Sequence, residues 1–274
     1  MSEIVCDYCM HHCHLMEGKT GFCRARRNVQ GKNVCDNYGR LTAIAMDPIE
    51  KKPFARYYPG SLILSVGSYG CNLACPFCQN STISMVDENH VDYRTVRPDQ
   101  LAQIVMAHPE SIGLAFTYNE PLISWEYIRD CAKILKPQGK KIVLVTNGCI
   151  SHEVMETLMP YVDAMNIDLK GDAEFYQIEL HGSLDLVKQT IAYVYDKCHL
   201  EVTTLVIPGK NDSEAFIDKE ASWLASLSKE IPLHLSRYFP RYHYQLPATD
   251  VDHMKKLQKC AQKYLSWVYL GNVW

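Results

Sequence analysis

The chain has 274 residues, and its content of 47% hydrophobic and 22% charged residues is typical of a globular protein and excludes a disordered or fibrous one. Its 28 basic and 31 acidic residues leave a net charge of −3; because nucleic-acid-binding proteins usually carry a basic surplus, we expect no nucleic acid as a partner. No stretch reaches the ~20 apolar residues of a membrane span, and the first residues lack the basic and apolar regions of a signal peptide. We therefore expect a cytoplasmic protein without membrane association.

Residues 1–58 form a head that is rich in Cys, His and Arg and has no sustained hydrophobic periodicity. We predict that this head is irregular and that it ends in an extended connector, Asp47–Pro53, whose two prolines favour extended backbone. From Ser61 onward, short apolar runs alternate with helical patterns, which predicts βαβ units and a parallel sheet. The predicted strands are Leu62–Val66, Gly113–Thr117, Lys141–Val145, Ala164–Leu169, Leu200–Ile207, Pro232–Ser236 and Trp267–Leu270. The predicted helices are Pro98–His108, Ser124–Leu135, Ser151–Tyr161, Asp172–Leu180, Leu184–Asp196, Ser213–Lys229 and Asp250–Leu265.

Six βα units fit the chain after the head. We therefore predict an α/β fold in two parts: a cysteine-rich metal-binding segment and connector over residues 1–58, and a partial (β/α)₆ TIM-like barrel over residues 59–274. In such folds ligands bind at the carboxyl ends of the parallel strands. Functional side chains are accordingly expected directly after strands.

Twelve cysteines are the most informative feature of the composition. In a reducing compartment, clustered cysteines bind metal more often than they pair as disulfides. Five lie in the head (Cys6, Cys9, Cys13, Cys23 and Cys35), three lie close together (Cys71, Cys75 and Cys78), and four are scattered (Cys131, Cys149, Cys198 and Cys260). The scattered four are predicted to be small buried side chains.

Cys71, Cys75 and Cys78 follow the first predicted strand on a loop that contains two glycines, with C-x-x-x-C-x-x-C spacing. Structural zinc and ferredoxin-type clusters take four protein ligands. Three thiolates instead suit a 4Fe–4S cluster that has one iron open to another ligand. A zinc site completed by a distant residue and three unrelated buried cysteines are the alternatives.

This loop, with Phe77 before its last cysteine, resembles the signature of radical S-adenosylmethionine (SAM) enzymes. The resemblance implies a 4Fe–4S cluster held by the three cysteines, whose open iron binds SAM. It also implies an external electron donor of the flavodoxin or ferredoxin type. Reductive cleavage of SAM would give a 5′-deoxyadenosyl radical that abstracts hydrogen from a small-molecule, peptide or protein substrate.

Motifs at later strand ends agree with this resemblance. The first is T-Y-N-E-P (residues 117–121), which is similar to the family element that receives the methionyl ammonium. The second is T-N-G (residues 146–148), and the third is D-L-K (residues 168–170), which matches the D-x-K motif of glycyl-radical activating enzymes. Residues two apart on a strand face the same side, so Asp168 and Lys170 are expected to reach the site together. The SAM-binding residues that the resemblance implies are Phe77 (near the adenine), Asn119, Glu120, Thr146, Asn147, Asp168 and Lys170.

The resemblance covers nearly the whole chain, which is similar to radical SAM enzymes of the AmmeMemoRadiSam system and to pyruvate formate-lyase activating enzymes. The head pattern C-x-x-C-x-x-x-C, D-P-I-E-K-K-P over residues 47–53 and L-H-L-S-R-Y-F-P over residues 233–240 carry it. Val145 departs from the Asp of pyruvate formate-lyase activating enzymes, and Phe239 replaces a His that is frequent in related proteins.

Four head cysteines are predicted to form a second metal site: Cys6, Cys9, Cys13 and Cys23. Zinc would stabilise a small segment that lacks a core of its own, whereas a second iron–sulfur cluster would suit electron relay or substrate ligation. The absence of any metal is a third alternative.

The substrate is left open by the sequence. His234, Arg237 and Tyr238 are predicted to shape a substrate pocket, with a connector packed on the barrel rim as the alternative. The main hypothesis is a dedicated enzyme for a small molecule or peptide. Activation of a glycyl-radical protein is the second hypothesis, and a non-catalytic zinc or electron-transfer module is the third.

Overall fold

The computed structural model describes residues 2–273, and its head contains two short antiparallel hairpins. β1 (Ile4–Cys6) pairs with β2 (Cys13–Leu15), and β3 (Arg26–Val29) pairs with β4 (Lys32–Cys35). The prediction of an irregular head is therefore wrong for these segments. Strands of three or four residues are too short for an alternating hydrophobic pattern to reveal them.

The remaining elements alternate between strands and helices, and short 3₁₀ turns occupy residues 49–51, 121–124, 136–138 and 159–161. In chain order they are β5 (Arg40–Leu41), β6 (Ala43–Pro48), β7 (Leu62–Gly67), α1 (Ser81–Ser84), β8 (Arg94–Thr95), α2 (Pro98–Met106), β9 (Ser111–Phe116), α3 (Trp125–Leu135), β10 (Lys141–Thr146), α4 (His152–Leu158), β11 (Ala164–Asp168), α5 (Ala173–Ile178), α6 (Leu184–Val194), β12 (His199–Val206), α7 (Glu214–Leu227), β13 (Leu233–Arg237), α8 (Val251–Ala261) and β14 (Val268–Gly271).

The main sheet has eight strands in the order β14-β13-β12-β11-β10-β9-β7-β6. From β7 to β14 all neighbours are parallel, and β6 pairs antiparallel with β7 at one edge. Every predicted strand is present, with ends within two residues of the prediction. The α/β fold with a partial barrel of six βα units is therefore confirmed, with β14 as a final strand. No helix in residues 2–273 is long and apolar enough to cross a bilayer.

The predicted extended connector has a different structure. Asp47 and Pro48 end the edge strand β6, and the following segment, residues 49–58, crosses the amino ends of the strands; we call it the floor segment. Its Ile49, Phe54 and Tyr57 side chains pack in an apolar cluster with residues of β7, β9, β10 and β11. The floor segment closes the barrel at the end opposite the cysteine loop.

Glu220 on α7 is a buried carboxyl group on the helix side of the sheet. Its Oε1 accepts a 2.5 Å hydrogen bond from Thr204 Oγ1, and its Oε2 has no partner in residues 2–273. Burial raises the pKa of Glu220 to about 8, although the Thr204 hydrogen bond opposes this rise. The folded protein therefore keeps a proton on Glu220 at a pH where an unfolded chain has released it.

We predict that the free energy of unfolding falls as the pH rises from about 5 to about 8, because over this range unfolding releases the Glu220 proton. The slope from this one group approaches about 1.4 kcal/mol per pH unit. Urea denaturation of wild type and Glu220→Gln across this range measures it, and the variant should lose most of the slope. Glu214→Gln, an exposed change on the same helix, should keep it. An identical slope in wild type and Glu220→Gln would contradict the prediction.

Candidate functional site

A cavity of about 800 Å³ lies at the carboxyl ends of the strands and extends into the barrel. Its walls come from the cysteine loop after β7, the ends of β9 to β11, the inner faces of β12 to β14, and part of the floor segment. The predicted site residues that line it are Cys71, Cys75, Phe77, Cys78, Asn119, Glu120, Thr146, Asn147, Asp168, Lys170 and His234. Predicted site residues as far apart in sequence as Cys71 and His234 thus share one cavity.

The cysteine loop presents three thiols on a backbone that needs glycine. Gly70 has φ +84°, and a Cβ there would collide with the carbonyl oxygen of Cys23 in the head. Cys71 Sγ accepts a hydrogen bond from Leu73 N at 3.3 Å. Burial raises the pKa of Cys75 to about 12 and that of Cys71 well above its usual range. A metal centre must therefore displace thiol protons to bind here.

Asn119 fastens the cysteine loop to the end of β9. Its Oδ1 accepts from Ser68 N at 2.9 Å, and its Nδ2 donates to the carbonyl oxygens of Tyr69 (3.2 Å) and Gly70 (3.0 Å). These bonds use the hydrogen-bonding capacity of the amide. Asn119 therefore fixes the loop backbone, and its side chain has little capacity left for a ligand.

Glu120 connects the ends of two neighbouring strands. It is 3% exposed, and it accepts at Oε1 from Leu122 N (2.9 Å) and Thr146 Oγ1 (2.6 Å) and at Oε2 from Asn147 N (2.7 Å). Burial raises its pKa to about 7, although these hydrogen bonds lower it. A carboxylate offers about four acceptor positions, so Oε2 keeps one for a donor in the cavity.

Asn147 joins this arrangement to the cysteine loop. Its Nδ2 donates to Asn72 Oδ1 at 2.9 Å and lies 3.6 Å from Cys71 Sγ, and its Oδ1 accepts from Cys149 N at 2.8 Å. The ends of β7, β9 and β10 are thus held together by side-chain amides and one carboxyl group. Cys149, a predicted buried thiol, is 1% exposed.

Asp168 and Lys170 both reach the cavity, as their spacing predicts. Lys170 Nζ donates to Asp168 Oδ2 at 2.7 Å. Burial lowers the pKa of Lys170, but Asp168 and Cys75 outweigh burial and raise it above the ordinary value. The pair therefore places one fixed ammonium group beside the cysteines.

Phe77 is 4% exposed and gives the cavity an aromatic wall. Its ring lies parallel to that of Phe175, with centroids 6.0 Å apart, and 5.7 Å from the ring centroid of Tyr244. A planar ligand ring at this wall would meet the Phe77 ring, which packs against Phe175 and Tyr244. This environment fits the predicted place of an adenine.

His234 is held at the deep end of the cavity by a buried carboxylate. Glu201 accepts from His234 Nε2 (2.6 Å), His199 Nε2 (2.8 Å), Ala55 N (2.9 Å) and Arg56 N (2.8 Å). Burial opposes ionisation, but these hydrogen bonds outweigh it and lower the pKa of Glu201 to about 2. Because Nε2 is engaged, Nδ1 is the nitrogen of His234 that remains for a ligand.

Arg237 and Tyr238, predicted beside His234 in the substrate pocket, do not line the cavity. Side chains alternate along a strand, so Arg237 points away from the face of His234, and its Nε donates to Thr249 O at 2.7 Å. Tyr238 is 1% exposed and donates to Tyr244 O at 3.0 Å. Of the three residues, His234 alone reaches the cavity.

Several cavity residues were missed by the sequence analysis. Alternate positions on the last three strands face inward with His234, which the period of two along a strand could have indicated. Tyr118, next to the predicted Asn119, also lines the cavity. The missed residues include Lys51, Tyr118, Thr203, Ser236, Tyr269 and Asn272.

The head cysteines lie behind the cysteine loop. Cys6 and Cys13 are direct partners across β1 and β2. Burial raises the pKa of Cys9 to about 12, and the neighbouring Cys23, Cys6 and Cys13 add to this rise. Cys13 Sγ accepts a hydrogen bond from Phe22 N at 3.4 Å.

The donor set fits the cofactors that the sequence implies. Three soft sulfur ligands suit iron, and the open acceptor of Glu120, the Lys170 ammonium and the Phe77 wall suit an amino acid joined to a nucleoside. In residues 2–273 no group of three or more His, Cys, Asp or Glu side chains converges on a single metal ion. A 4Fe–4S cluster does not require such convergence, because each cysteine binds a different iron.

Comparison with known proteins gives a family match and several similar sequences. Residues 65–219 match the Radical SAM superfamily. The chain is 34% identical to an uncharacterised protein of Methanocaldococcus jannaschii, covering 99% of this chain and 82% of that protein. It is 24% identical to a putative glycyl-radical enzyme activating enzyme of the same organism, covering 79% of this chain and 91% of that one.

Solved structures that share the fold include the following two. A domain of pyruvate-formate lyase-activating enzyme from Bacteroides vulgatus aligns with a TM-score of 0.52 at 23% identity and covers 58% of this chain and 99% of that domain. A radical SAM methyltransferase from Sphaerobacter thermophilus aligns with a TM-score of 0.58 at 17% identity, over 78% of this chain and 67% of that one. At these identities the likeness concerns the fold alone.

We predict that Asn119→Ala lowers the iron retained after anaerobic reconstitution by more than half, because Gly70 O loses its donor, Ser68 N loses its acceptor and the cysteine loop loosens. Tyr69 O keeps its hydrogen bond from Asn37 Nδ2 at 2.8 Å. The lost hydrogen bonds should also lower the free energy of unfolding by about 1–3 kcal/mol. Iron per chain and urea denaturation measure both effects. Asn89→Ala, at an exposed position, is the control. Normal iron retention in Asn119→Ala would contradict the role of this amide.

Proposed function

The chain belongs to the radical SAM superfamily and is a radical SAM enzyme, and on this premise we propose that Cys71, Cys75 and Cys78 hold a 4Fe–4S cluster beside a SAM-binding site. The bound cluster supplies the electron that cleaves SAM into methionine and a 5′-deoxyadenosyl radical. The observation that carries the proposal is that the three thiols and all the residues implied for SAM line a single cavity.

The protein groups have different tasks in this proposal. The open acceptor of Glu120 receives the methionyl ammonium, since a cation favours the ionised form of a carboxyl group whose pKa burial has raised. Lys170, paired with Asp168, provides positive charge near the thiolates. Asn119 and Asn147 act through their neighbours, because the amide groups of both are already bonded to protein.

Two further features would protect a radical. The floor segment closes the amino end of the barrel, and the Phe77 wall covers the side of the cavity beside the cysteine loop. Both limit the entry of water and of small molecules that could quench the reaction. An external electron donor, of the flavodoxin or ferredoxin type, is proposed to reduce the cluster in the cytoplasm, where the twelve free cysteines stay reduced.

A second metal centre is proposed at Cys6, Cys9, Cys13 and Cys23. The hydrogen bond from Phe22 N to Cys13 Sγ supports it, because a thiolate accepts hydrogen bonds better than a thiol does. Cys35 differs from them: its thiol donates to Asn37 Oδ1 at 3.1 Å. Four sulfur ligands suit both zinc and a second iron–sulfur cluster. Zinc would require the four sulfurs to move together onto one ion, since in residues 2–273 they do not converge on a single metal position.

The substrate is proposed to bind at the deep end of the cavity, beside His234. The part of the cavity beyond Lys170 has polar groups from β12 to β14, which suits a small polar molecule or one side chain of a peptide. Activation of a glycyl-radical protein is the second candidate. The Asp168–Lys170 pair and the similarity to a putative activating enzyme favour it.

We expect the triple variant Cys71→Ala, Cys75→Ala, Cys78→Ala to lose about four irons per chain relative to wild type. With dithionite and SAM, wild type should release 5′-deoxyadenosine and the variant should release none above background. Metal analysis and chromatography of the products measure both. Iron retention with undiminished 5′-deoxyadenosine in the variant would refute the proposed cluster site.

The same variant separates the two metal centres. Metal that remains in it identifies the head centre, about one zinc or about four irons per chain. Adding Cys9→Ala and Cys23→Ala should remove this metal, whereas adding Cys35→Ala should not. If the triple variant retains no metal, the proposed metal centre in the head is wrong.

A further inference from the structure

Tyr118 adopts a backbone conformation that is unfavourable for its residue type. It lies between Thr117 and Asn119 in the turn after β9 and has φ +72°. For an aromatic residue this left-handed conformation brings the side chain against its own backbone, so it persists only where the surroundings impose it. The turn carries Glu120, the residue proposed to receive the methionyl ammonium.

A buried ion pair holds the Tyr118 side chain. Tyr118 OH donates to Asp47 Oδ2 at 2.6 Å, and Lys52 Nζ donates to the same oxygen at 2.8 Å. The Lys52 ammonium also lies 3.2 Å from Tyr118 OH and 4.3 Å from the centre of its ring. Lys52 is 3% and Asp47 8% exposed, so the Lys52 charge depends on Asp47 for compensation. Asp47 has a second cation, Lys51, whose Nζ lies 3.6 Å from Oδ1.

Asp47 is ionised in this arrangement. Burial opposes its ionisation, but the hydrogen bonds from Lys52 and Tyr118 outweigh burial and lower the pKa of Asp47 to about 2. The acceptor for Tyr118 OH is therefore a full carboxylate. Hydrogen bonds to charged acceptors are among the strongest in proteins.

The backbone of the turn is confined from two other sides. Asn80 Nδ2, from the loop after Cys78, donates to Tyr118 O at 2.7 Å. A Cβ at Gly67, the last residue of β7, would lie 2.8 Å from Tyr118 Cδ2, so a larger residue there would displace the ring. The turn is thus fitted between the cysteine loop, β7 and the start of the floor segment.

Asp47 and Lys52 both belong to the motif D-P-I-E-K-K-P (residues 47–53), which has no part in the proposed chemistry. We propose that Asp47, Lys52 and Tyr118, called here the Tyr118 latch, position the turn so that Glu120 meets the methionyl group of SAM. The inference rests on the proposed function. The latch residues are positioning residues: the ion pair offsets the unfavourable backbone conformation of Tyr118 and thereby fixes the turn before SAM arrives.

Tyr118→Phe tests the latch, because it keeps the ring and the unfavourable φ but removes the hydroxyl that the ion pair holds. The dissociation constant for SAM of the cluster-loaded protein, measured by equilibrium dialysis, should rise about tenfold. The KM for SAM should rise equally while kcat stays unchanged. Without cofactors, amides of residues 117–120 should exchange hydrogen about tenfold faster than in wild type.

Tyr118→Gly should restore tight binding, because glycine adopts positive φ without an anchor. We expect its dissociation constant for SAM to be within about threefold of the wild-type value. Asp47→Asn should then weaken SAM binding in the wild-type background and not in Tyr118→Gly. Tyr264→Phe is the matched control: it removes a Tyr–Asp hydrogen bond of 2.9 Å to Asp218, away from the cavity, and should leave SAM binding unchanged.

The outcomes distinguish the latch from the proposed function. If cluster-loaded wild type binds no SAM, the proposed function fails and the latch fails with it. If wild type binds SAM and Tyr118→Phe binds it equally well, the latch alone is overturned. Equal weakening in Tyr118→Phe and Tyr118→Gly, or in Tyr264→Phe, would also overturn it, since the effect would not follow the backbone conformation of Tyr118.

Discussion

The site depends on one buried carboxyl group. A carboxylate out of contact with water is stable only when donors surround it, and Glu120 draws its donors from the start of the helix that follows it and from the end of β10. The hydrogen bonds from Thr146 and Asn147 stabilise the Glu120 carboxylate and also fix the positions of these two residues. Through Asn147 the same connection reaches Asn72 in the cysteine loop. The hydrogen bonds of Glu120 therefore join the ends of β9 and β10, the amides of Asn119 and Asn147 join them to the cysteine loop after β7, and one acceptor position of Glu120 is left open to the cavity.

The head packs directly against the barrel and contacts the cysteine loop. Arg26 is 2% exposed, its Nε donates to Ile123 O at 2.7 Å, and its guanidinium forms an ion pair with Glu126 at the start of α3. The carbonyl oxygen of Cys23 lies against Gly70, and His11 Nε2 is 2.9 Å from Asn72 O. A metal in the head would stiffen a surface on which the cluster-binding loop rests. The head and the barrel are therefore one structural unit at this contact.

Sequence reasoning succeeded where a pattern is local. The strands of the barrel are continuous apolar runs, and the cysteine spacing, together with the motifs at the strand ends, locates the residues that line the cavity. It failed where contacts are distant. The head hairpins are too short to show a period, β6 ends in the polar Asp47–Pro53 motif, and Arg237 lies on the strand face opposite His234. The latch joins residues 66 to 71 positions apart, so neither its ion pair nor the backbone conformation of Tyr118 leaves a trace in the sequence.

In the proposed function, Glu120 organises a SAM site beside a three-cysteine cluster. Electron paramagnetic resonance of the reduced, reconstituted protein tests this role, with SAM titrated into wild type and Glu120→Gln at equal iron content. SAM should alter the wild-type cluster signal, and the variant should need at least about tenfold more SAM for the same change. A wild-type signal that SAM leaves unchanged, or a variant that responds at the same SAM concentration, would contradict this role.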